Sequence, residues 1–252
     1  MSSKIIVIGN VNCELRDVFT KLAKLHAKQN FSFAVIVGDV FGDCTAEHEL
    51  EEISGLFHGS INVPIPTYFT LGDRPLPARV VDKIEADDEV CPNLYFLGKR
   101  GTLKTSEGIR LVTLGGKLDT DGNKTNKYNP TYAEPDARAL YGAHSADILI
   151  TNQWPRGIRT GSKVSTPEDS TPPEEVQCLA DLTATLKPRY HVSSGDFFWE
   201  REPFFHMPTE DEPDAKPVTR FINVASYSKT TPQKWMYAFT LDPKAPIPFT
   251  VP

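Results

Sequence analysis

The chain has 252 residues and a formal net charge of −6, and 39% of its residues are hydrophobic and 24% charged. This length accommodates one large α/β domain or two small ones, with a core that needs no disulfide or metal to hold it. The negative charge argues against a nucleic-acid-binding face over the whole domain, and no apolar stretch approaches the roughly 18 residues needed to span a bilayer.

The first part of the chain alternates strand and helix patterns. Buried strands are predicted at residues 5–8, 34–37 and 66–71. Apolar residues recur at helical spacing from Leu15 to Leu25, which predicts a helix of roughly four turns. A second helix is predicted from Ala46 to Phe57, with Leu50, Ile53 and Leu56 on one face. This order implies a parallel sheet with right-handed crossovers.

The middle of the chain changes character. Short β-like runs separated by tight turns predict antiparallel hairpins, at residues 93–98, 101–104 and 109–114. A polar loop is predicted at 117–135, then a helix from about Ala137 and a strong strand at 147–152. The segment 155–173 is rich in Gly and Pro, and loops of this length are usually functional or disordered.

The last part predicts a helix and three more strands. Pro172-Pro173-Glu174-Glu175 is typical of a helix start, and the helix should run to Leu186. Strands follow at 190–194, 218–225 and 235–241, and we expect the last two to form the edge of a second sheet. The sequence contains no internal repeat and no separate second domain, and 242–252 is typical of a linker.

Polar side chains follow each of the first three strands. Asn10 and Asn12 follow the first strand, Asp39 the second, and Asp73 and Arg74 the third. Because the carboxyl ends of parallel strands meet at one sheet edge, such residues usually build an active site.

These strand ends belong to a larger set of matching motifs, which are Gly9–Leu15, Val37–Gly42, Leu71–Asp73, Asn93–Gly98, Asp147–Pro155 and Leu186–His191. The chain resembles the calcineurin-like metallophosphoesterases, and more specifically the N-terminal domain of the CwfJ family, spliceosome-associated relatives of the lariat debranching enzyme. The resemblance covers residues 4–241. It implies an α/β sandwich of two mixed sheets flanked by helices.

In active members of the wider family, two divalent metals bridge a phosphate and activate a water. The resemblance places Asp39 at the carboxylate that bridges the metals. Asn12 stands where an active member has histidine, and Asn10 stands where the common pattern has aspartate. An amide is a poor replacement, since it is neutral and binds through one weak oxygen.

The resemblance assigns the other site positions in the same way. Asp73 occupies the position of the usual asparagine and Arg74 that of the catalytic histidine. Asn152 replaces a ligand histidine, and Gly195 and Phe197 lie where two more histidines would be.

The charges at these positions predict loss of the metal pair. Two divalent cations carry four positive charges, and the site offers Asp39 and Asp73 against them while Arg74 adds a further positive charge. At an effective dielectric constant near 20, the interaction of two unit charges about 4 Å apart is worth roughly 4 kcal/mol. We therefore predict a pseudoenzyme with no catalytic residue, no bound metal and no cofactor.

The resemblance implies a function and its partners. It predicts a non-catalytic protein- or RNA-interaction domain of a nuclear splicing factor that acts in the intron-lariat spliceosome, debranching and intron turnover. The implied partners are the lariat debranching enzyme, late spliceosome proteins and intron RNA, with no membrane. Residues 242–252 would then begin a linker to further C-terminal domains.

Two alternative functions stay open on the sequence. One is a metal-dependent RNA phosphodiesterase or nuclease that uses Asp39. The other is a phosphate or nucleotide binder in which Arg74 replaces the metals, since the planar guanidinium matches a phosphate.

Several other residues have both a functional and an ordinary interpretation. Cys13 and His191 are more typical of buried packing than of a reactive thiol or a metal ligand, and the scattered cysteines predict no zinc site. RNA phosphates could contact five cationic residues, which are Arg156, Arg159, Lys163, Lys229 and Lys234. The aromatic residues at 197–199 and 204–205 combine core character with that of a protein-docking surface.

Overall fold

The computed structural model describes residues 2–87, 89–121, 126–207 and 217–245. The helices are α1 Leu15–Gln29, α2 Glu47–Phe57, α3 Ala78–Asp87, α4 Glu134–Ala139 and α5 Gln177–Leu186, with a 3-10 turn at Leu140–Ala143. The strands are β1 Ser3–Ile8, β2 Phe33–Ile36, β3 Thr67–Phe69, β4 Leu94–Phe96, β5 Arg100–Lys104, β6 Arg110–Leu114, β7 Lys117–Leu118, β8 Thr131–Tyr132, β9 Ile148–Thr151, β10 Trp154–Pro155, β11 Glu175–Val176, β12 Tyr190–Gly195, β13 Trp199–Glu200, β14 Phe204–Phe205, β15 Val218–Ala225 and β16 Met236–Leu241.

The first sheet has the strand order β16-β1-β2-β3-β4. Strands β1 to β4 are parallel, as the β-α-β-α-β order predicts. The prediction of a hairpin at β4 was wrong, because β4 pairs in parallel with β3. The prediction for the last strand was also wrong, since β16 pairs antiparallel with β1 rather than joining the second sheet.

The second sheet has the order β13-β15-β12-β9-β6-β5, and β14 also pairs with β15. The predicted hairpin of β5 and β6 is confirmed. Strand β15 is not an edge strand, since it lies between β12 and β13. This second sheet mixes parallel and antiparallel pairs, like the first.

The two sheets pack face to face because residues alternate along each strand. In β1, Ile5 and Val7 pack against the second sheet, while Ile6 and Ile8 pack against the helices on the outer side. In β9, Ile148 and Ile150 face the first sheet, while Leu149 packs under α4 and α5. The result is a sandwich of two mixed sheets flanked by helices, the architecture that the sequence predicted.

Several helix predictions differ from the structure in detail. Leu50 is 44% exposed although Ile53 and Leu56 are buried, so the apolar face of α2 is narrower than predicted. Helix α3 was not predicted. Helix α5 begins at Gln177 rather than in the Pro-Pro-Glu-Glu run, because β11 pairs in parallel with β10 before the helix starts.

Two further features bear on the sequence predictions. The segment 155–173 contacts the rest of the fold through two residues. Ile158 is buried, and the main-chain N–H of Lys163 donates to Glu202 over 2.8 Å. In the described residues, no helix is long and apolar enough to cross a membrane. The predicted linker at 242–252 lies outside the described residues from position 246 onwards.

His191 is a packed core residue, as its place in an alternating strand indicated. Its ring nitrogens lie 2.8 Å from the Thr151 hydroxyl and 3.2 Å from the Thr183 hydroxyl. The side chain is fully buried, and burial lowers its pKa to about 3. The imidazole is therefore neutral in the folded protein at physiological pH.

The buried His191 should make the fold sensitive to acid. An unfolded histidine has a pKa of about 6.5, so the unfolded chain takes up the proton first as the pH falls. This contribution to stability is complete above about pH 6.5 and is lost progressively towards pH 3. Urea titrations between pH 7 and 4 should give a shallower fall in the free energy of unfolding for His191→Gln than for the wild type. The exposed His48→Gln is the matched control, and equal slopes in the wild type and His191→Gln would contradict the prediction.

Candidate functional site

A polar pocket of about 260 Å³ lies where the carboxyl ends of strands from both sheets meet. Asn10 follows β1, Asp73 follows β3, Asn152 follows β9, and Gly195 ends β12. The structure therefore brings together four of the residues that the resemblance singled out. Three other predicted residues, Asn12, Asp39 and Arg74, come from the adjoining turns.

Asn10 is a structural clamp between the turns after β1 and β2. Its Oδ1 accepts a hydrogen bond of 2.7 Å from the main-chain N–H of Asp39, and its Nδ2 donates to the Ser226 hydroxyl over 2.8 Å. Its own main-chain N–H donates to the Ser194 hydroxyl. The side-chain oxygen that could have met a metal is thus used by the protein itself.

Asp39 is held in the way that the sequence favoured, by a turn amide and by Arg74. Its Oδ1 accepts a hydrogen bond of 3.0 Å from the main-chain N–H of Arg74, and its Oδ2 lies 4.0 Å from Arg74 Nε. The same guanidinium lies 3.6 Å from Asp43. Arg74 is therefore shared between two carboxylates.

The pKa of Asp39 reports a balance of opposing effects. Burial raises the pKa, and the charge of Asp73 raises it further. The amide and guanidinium of Arg74 lower it and offset part of that rise. Arg74 thus supplies part of the stabilisation of the anion that a metal cation would otherwise give.

Asp73 is paired with a residue that the sequence did not single out. Lys117 Nζ lies 3.0 Å from one carboxylate oxygen of Asp73, and Asn152 Nδ2 lies 3.4 Å from the other. Lys117 went unrecognised because it lies in the segment predicted as a polar loop, where sequence spacing gives no sign of its approach to Asp73. The Oδ1 of Asn152 is buried and has no hydrogen-bond partner among the described residues.

Gln153 closes the far side of the pocket and was likewise not predicted. Its Oε1 accepts hydrogen bonds from the main-chain N–H of Leu118 and from the Tyr132 hydroxyl, at 2.7 and 2.8 Å. Its Nε2 donates to Glu174 over 2.7 Å. These bonds fix the wall of the pocket between β7, β8 and the segment before β11.

Asn12 and Phe197 contribute differently from the other site positions. Asn12 has a φ of 51°, and its main-chain N–H donates to the Asp39 carbonyl over 3.1 Å. Phe197 lies outside the pocket lining, since it is buried in an aromatic cluster with Trp154, Trp199 and Phe221. Of the positions where the resemblance would place histidines, Asn152 and Gly195 line the pocket.

The residues present do not fit a pair of divalent metals. Asp39 and Asp73 each have a cationic partner, Arg74 and Lys117. Two further carboxylates, Glu174 and Asp196, line the pocket, but the histidine ligands of an active site are replaced by other residue types. In the described part of the chain, no group of three or more His, Cys, Asp or Glu side chains is placed to hold a metal ion. The pocket can offer hydrogen bonds from amides and hydroxyls.

Other candidate residues are placed in ordinary surroundings. Cys13 is fully buried, and burial raises the pKa of its thiol to about 12, so it stays protonated. Arg159 lies 2.6 Å from Glu175, and Lys229 lies 2.5 Å from Glu14. Lys234 lies over the ring of Phe198 at 4.0 Å. Three of the cations considered for RNA are therefore engaged within the protein.

Comparisons with known proteins relate the chain to one group of relatives. No family model matches it. It is 30% identical over 249 residues to CWF19-like protein 1 homolog of Caenorhabditis elegans, which covers 96% of this chain and 44% of the relative. It is 28% identical over 251 residues to CWF19-like protein mug161 of Schizosaccharomyces pombe, covering 95% of this chain and 43% of the relative. The chain thus spans less than half the length of these relatives.

Solved structures show the same fold at low sequence identity. TT1561 of Thermus thermophilus matches with a TM-score of 0.56 and 13% identity over 90% of both chains. GAP50, the anchor in the inner membrane complex of Plasmodium, matches with a TM-score of 0.50 and 10% identity over 95% of this chain and 81% of that one. Over nearly its whole length the chain is therefore a homologue of the CWF19-like proteins with a calcineurin-like metallophosphoesterase fold, which confirms the resemblance to the CwfJ family and the fold class predicted from the sequence.

Proposed function

We propose that this chain is a non-catalytic interaction domain of a splicing-related factor. The observation that carries the proposal is that the protein's own groups occupy the site. Asp39, which matches the metal-bridging carboxylate, is bound by Arg74, and the oxygen of Asn10 is bound by a main-chain amide. The CWF19-like names of the relatives support the splicing part.

The finer function follows from the resemblance to the CwfJ family. Under this proposal the domain acts in the nucleus with late spliceosome proteins, the lariat debranching enzyme and intron RNA, and it influences intron turnover. Without the metal pair the domain would have no hydrolytic activity, and its surfaces would serve for binding.

The phosphodiesterase alternative requires metals to displace two internal cations. A metal beside Asp39 would face the guanidinium of Arg74, and a metal beside Asp73 would face the ammonium of Lys117. Both cations are partly exposed, so each pair contributes only about 1 kcal/mol or less. The main objection to metals is the replacement of the histidine ligands by amides and a glycine, with a positive charge beside each remaining carboxylate. The phosphate-binding alternative has less support for a related reason, since Arg74 is already shared between Asp39 and Asp43.

Manganese titration tests the proposal directly. We expect calorimetry to show no stoichiometric Mn²⁺ binding, because Arg74 and Lys117 lie beside Asp39 and Asp73 and the described residues contain no group of three or more His, Cys, Asp or Glu side chains placed to hold a metal ion. With Mn²⁺ present, hydrolysis of bis-p-nitrophenyl phosphate should equal that of a blank, and Asp39→Ala should behave like the wild type. A stoichiometric site, or turnover that disappears in Asp39→Ala, would establish the enzyme instead.

A further inference from the structure

A second concave surface lies away from the polar pocket, beside helix α5. This groove, which we name the α5 groove, has a volume of about 550 Å³. One wall is the small-residue face of α5 with Ala180 and Ala184, and another is the turn at Pro155–Ile158. The third wall comes from β14 and the residues around it, from Arg201 to Met207.

The α5 groove carries the most exposed large apolar side chains in the described part of the chain. Met207 is 84% exposed and Phe205 is 58% exposed. Both line the groove, together with the buried Ile158. Large apolar side chains gathered in a concave surface mark interaction sites more often than scattered ones do.

The charges around the α5 groove are of one sign. Arg156, Lys187 and Arg201 line it, and no carboxylate of the described residues does. The neighbouring carboxylates have partners within the protein. Glu200 accepts from the Tyr237 hydroxyl and Glu202 from the Ser162 hydroxyl. Glu175 accepts from the main-chain N–H of Gly157 and pairs with Arg159. This basic surface belongs to a chain whose net charge is −6.

The basic surface extends past Lys187 into a second, adjacent depression. This depression of about 380 Å³ is also lined by Lys104, Arg110 and Arg189. Its one lining carboxylate, Asp147, is engaged by Arg189 at 3.8 Å and by the main-chain N–H of Arg110. A ligand with apolar groups in the α5 groove would therefore place its flanking residues near positive charge.

The contacts of the Phe204 ring disfavour the stacking of a nucleic-acid base on that residue. A base needs a free ring face on which to stack. The Phe204 ring lies 4.7 Å from the guanidinium of Arg201 and 5.3 Å from the ring of His206. Burial also lowers the pKa of His206 to about 4, so the imidazole adds no charge at neutral pH. The groove thus combines apolar recesses with a cationic rim, which suits side-chain anchors with acidic neighbours.

We propose that the α5 groove docks a segment of a partner protein in which apolar anchor side chains are flanked by Asp or Glu. This inference gives the proposed interaction domain a binding surface. It does not depend on the absence of catalysis, because the groove residues are separate from those of the polar pocket. Manganese binding would overturn the proposed function and leave this proposal standing.

A peptide selection tests the proposal without a known partner. A random 12-residue peptide library displayed on phage is selected against the whole chain. The affinities of the selected peptides are then measured with labelled peptides by fluorescence anisotropy. We expect winners that place Leu, Ile, Phe or Met next to Asp or Glu. Winners without this composition, or no winners, would overturn the proposal.

Substitutions assign the binding to the α5 groove. Met207→Glu and Arg156→Glu should each weaken the selected peptides at least tenfold, because one removes an apolar contact and the other reverses a rim charge. Leu50→Glu and Lys24→Glu make the same chemical changes at exposed positions outside the groove, and they should alter affinity less than twofold. Circular dichroism confirms that each variant folds. Equal affinity in the groove variants and the controls would contradict the proposal.

Two further arms separate other ligands from the proposed one. Labelled single-stranded oligouridylate tests RNA. If Arg156→Glu removes RNA binding and no peptide binding depends on the groove, the choice of a peptide is overturned. The sequence after Met207 is acidic at Glu210, Asp211, Glu212 and Asp214, outside the described residues. Conversion of these four to amides should leave peptide affinity unchanged or raise it, and a loss would contradict the charge argument.

Discussion

Replacement of Trp154 by alanine is expected to lower the free energy of unfolding by about 3–5 kcal/mol, the range for truncation of a large buried aromatic side chain. Trp154 is fully buried. Its ring stacks on Trp199 at 5.0 Å and meets Phe197 and Phe221 edge-on at 6.0 and 5.4 Å. Its indole N–H donates to Asn223 Oδ1 over 3.1 Å. The substitution therefore removes packing and a buried hydrogen bond together.

Two matched variants separate these contributions in urea unfolding. Trp154→Phe keeps much of the ring packing and loses the indole donor, so its cost should be well below that of alanine. Phe205→Ala removes an exposed aromatic ring and should change stability by less than about 0.5 kcal/mol. A Trp154→Ala variant as stable as Phe205→Ala would show that the aromatic cluster does not hold the second sheet.

Substitution of Gly38 by alanine is expected to cost about 3 kcal/mol and to disturb the polar pocket. Gly38 has a φ of +89°, which side chains rarely adopt. A Cβ there would also lie 1.8 Å from the Oδ1 of Asn10, the atom that accepts the Asp39 amide. The added methyl group must therefore displace the Asn10 clamp as well as strain the backbone.

Gly59 supplies the control for backbone strain alone. It has a φ of +73°, and a Cβ there would meet nothing within 4 Å. Gly59→Ala should therefore cost about 1 kcal/mol, the penalty for a left-handed backbone conformation without a clash. Urea unfolding of both variants measures the difference. Equal costs would mean that the turn after β2 yields to the added atom without losing the Asn10 bond.

The sequence by itself determined the first three strands with their parallel direction and the hairpin of β5 and β6. Apolar runs ending in Gly and polar residues predicted β1, β2 and β3, because buried parallel strands need continuous apolar side chains. The ends of these strands singled out Asn10 and Asp73, while Asn152 and Gly195 came from the resemblance to the CwfJ family. The structure places all four in the lining of one pocket. Local pattern sufficed here since each signal lies within one strand and the turn after it.

Pairing partners and side-chain contacts were decided only by the tertiary structure. β16 was assigned to the wrong sheet because the register Ser3 to Leu241 joins residues at opposite ends of the chain, which no local pattern encodes. The Lys117–Asp73 pair and the sharing of Arg74 between two carboxylates arise for the same reason. The sequence alone shows which residue types lie at the pocket. Whether their charges were already neutralised depended on which distant side chains the packed sheets brought within about 4 Å, the range over which an ion pair acts.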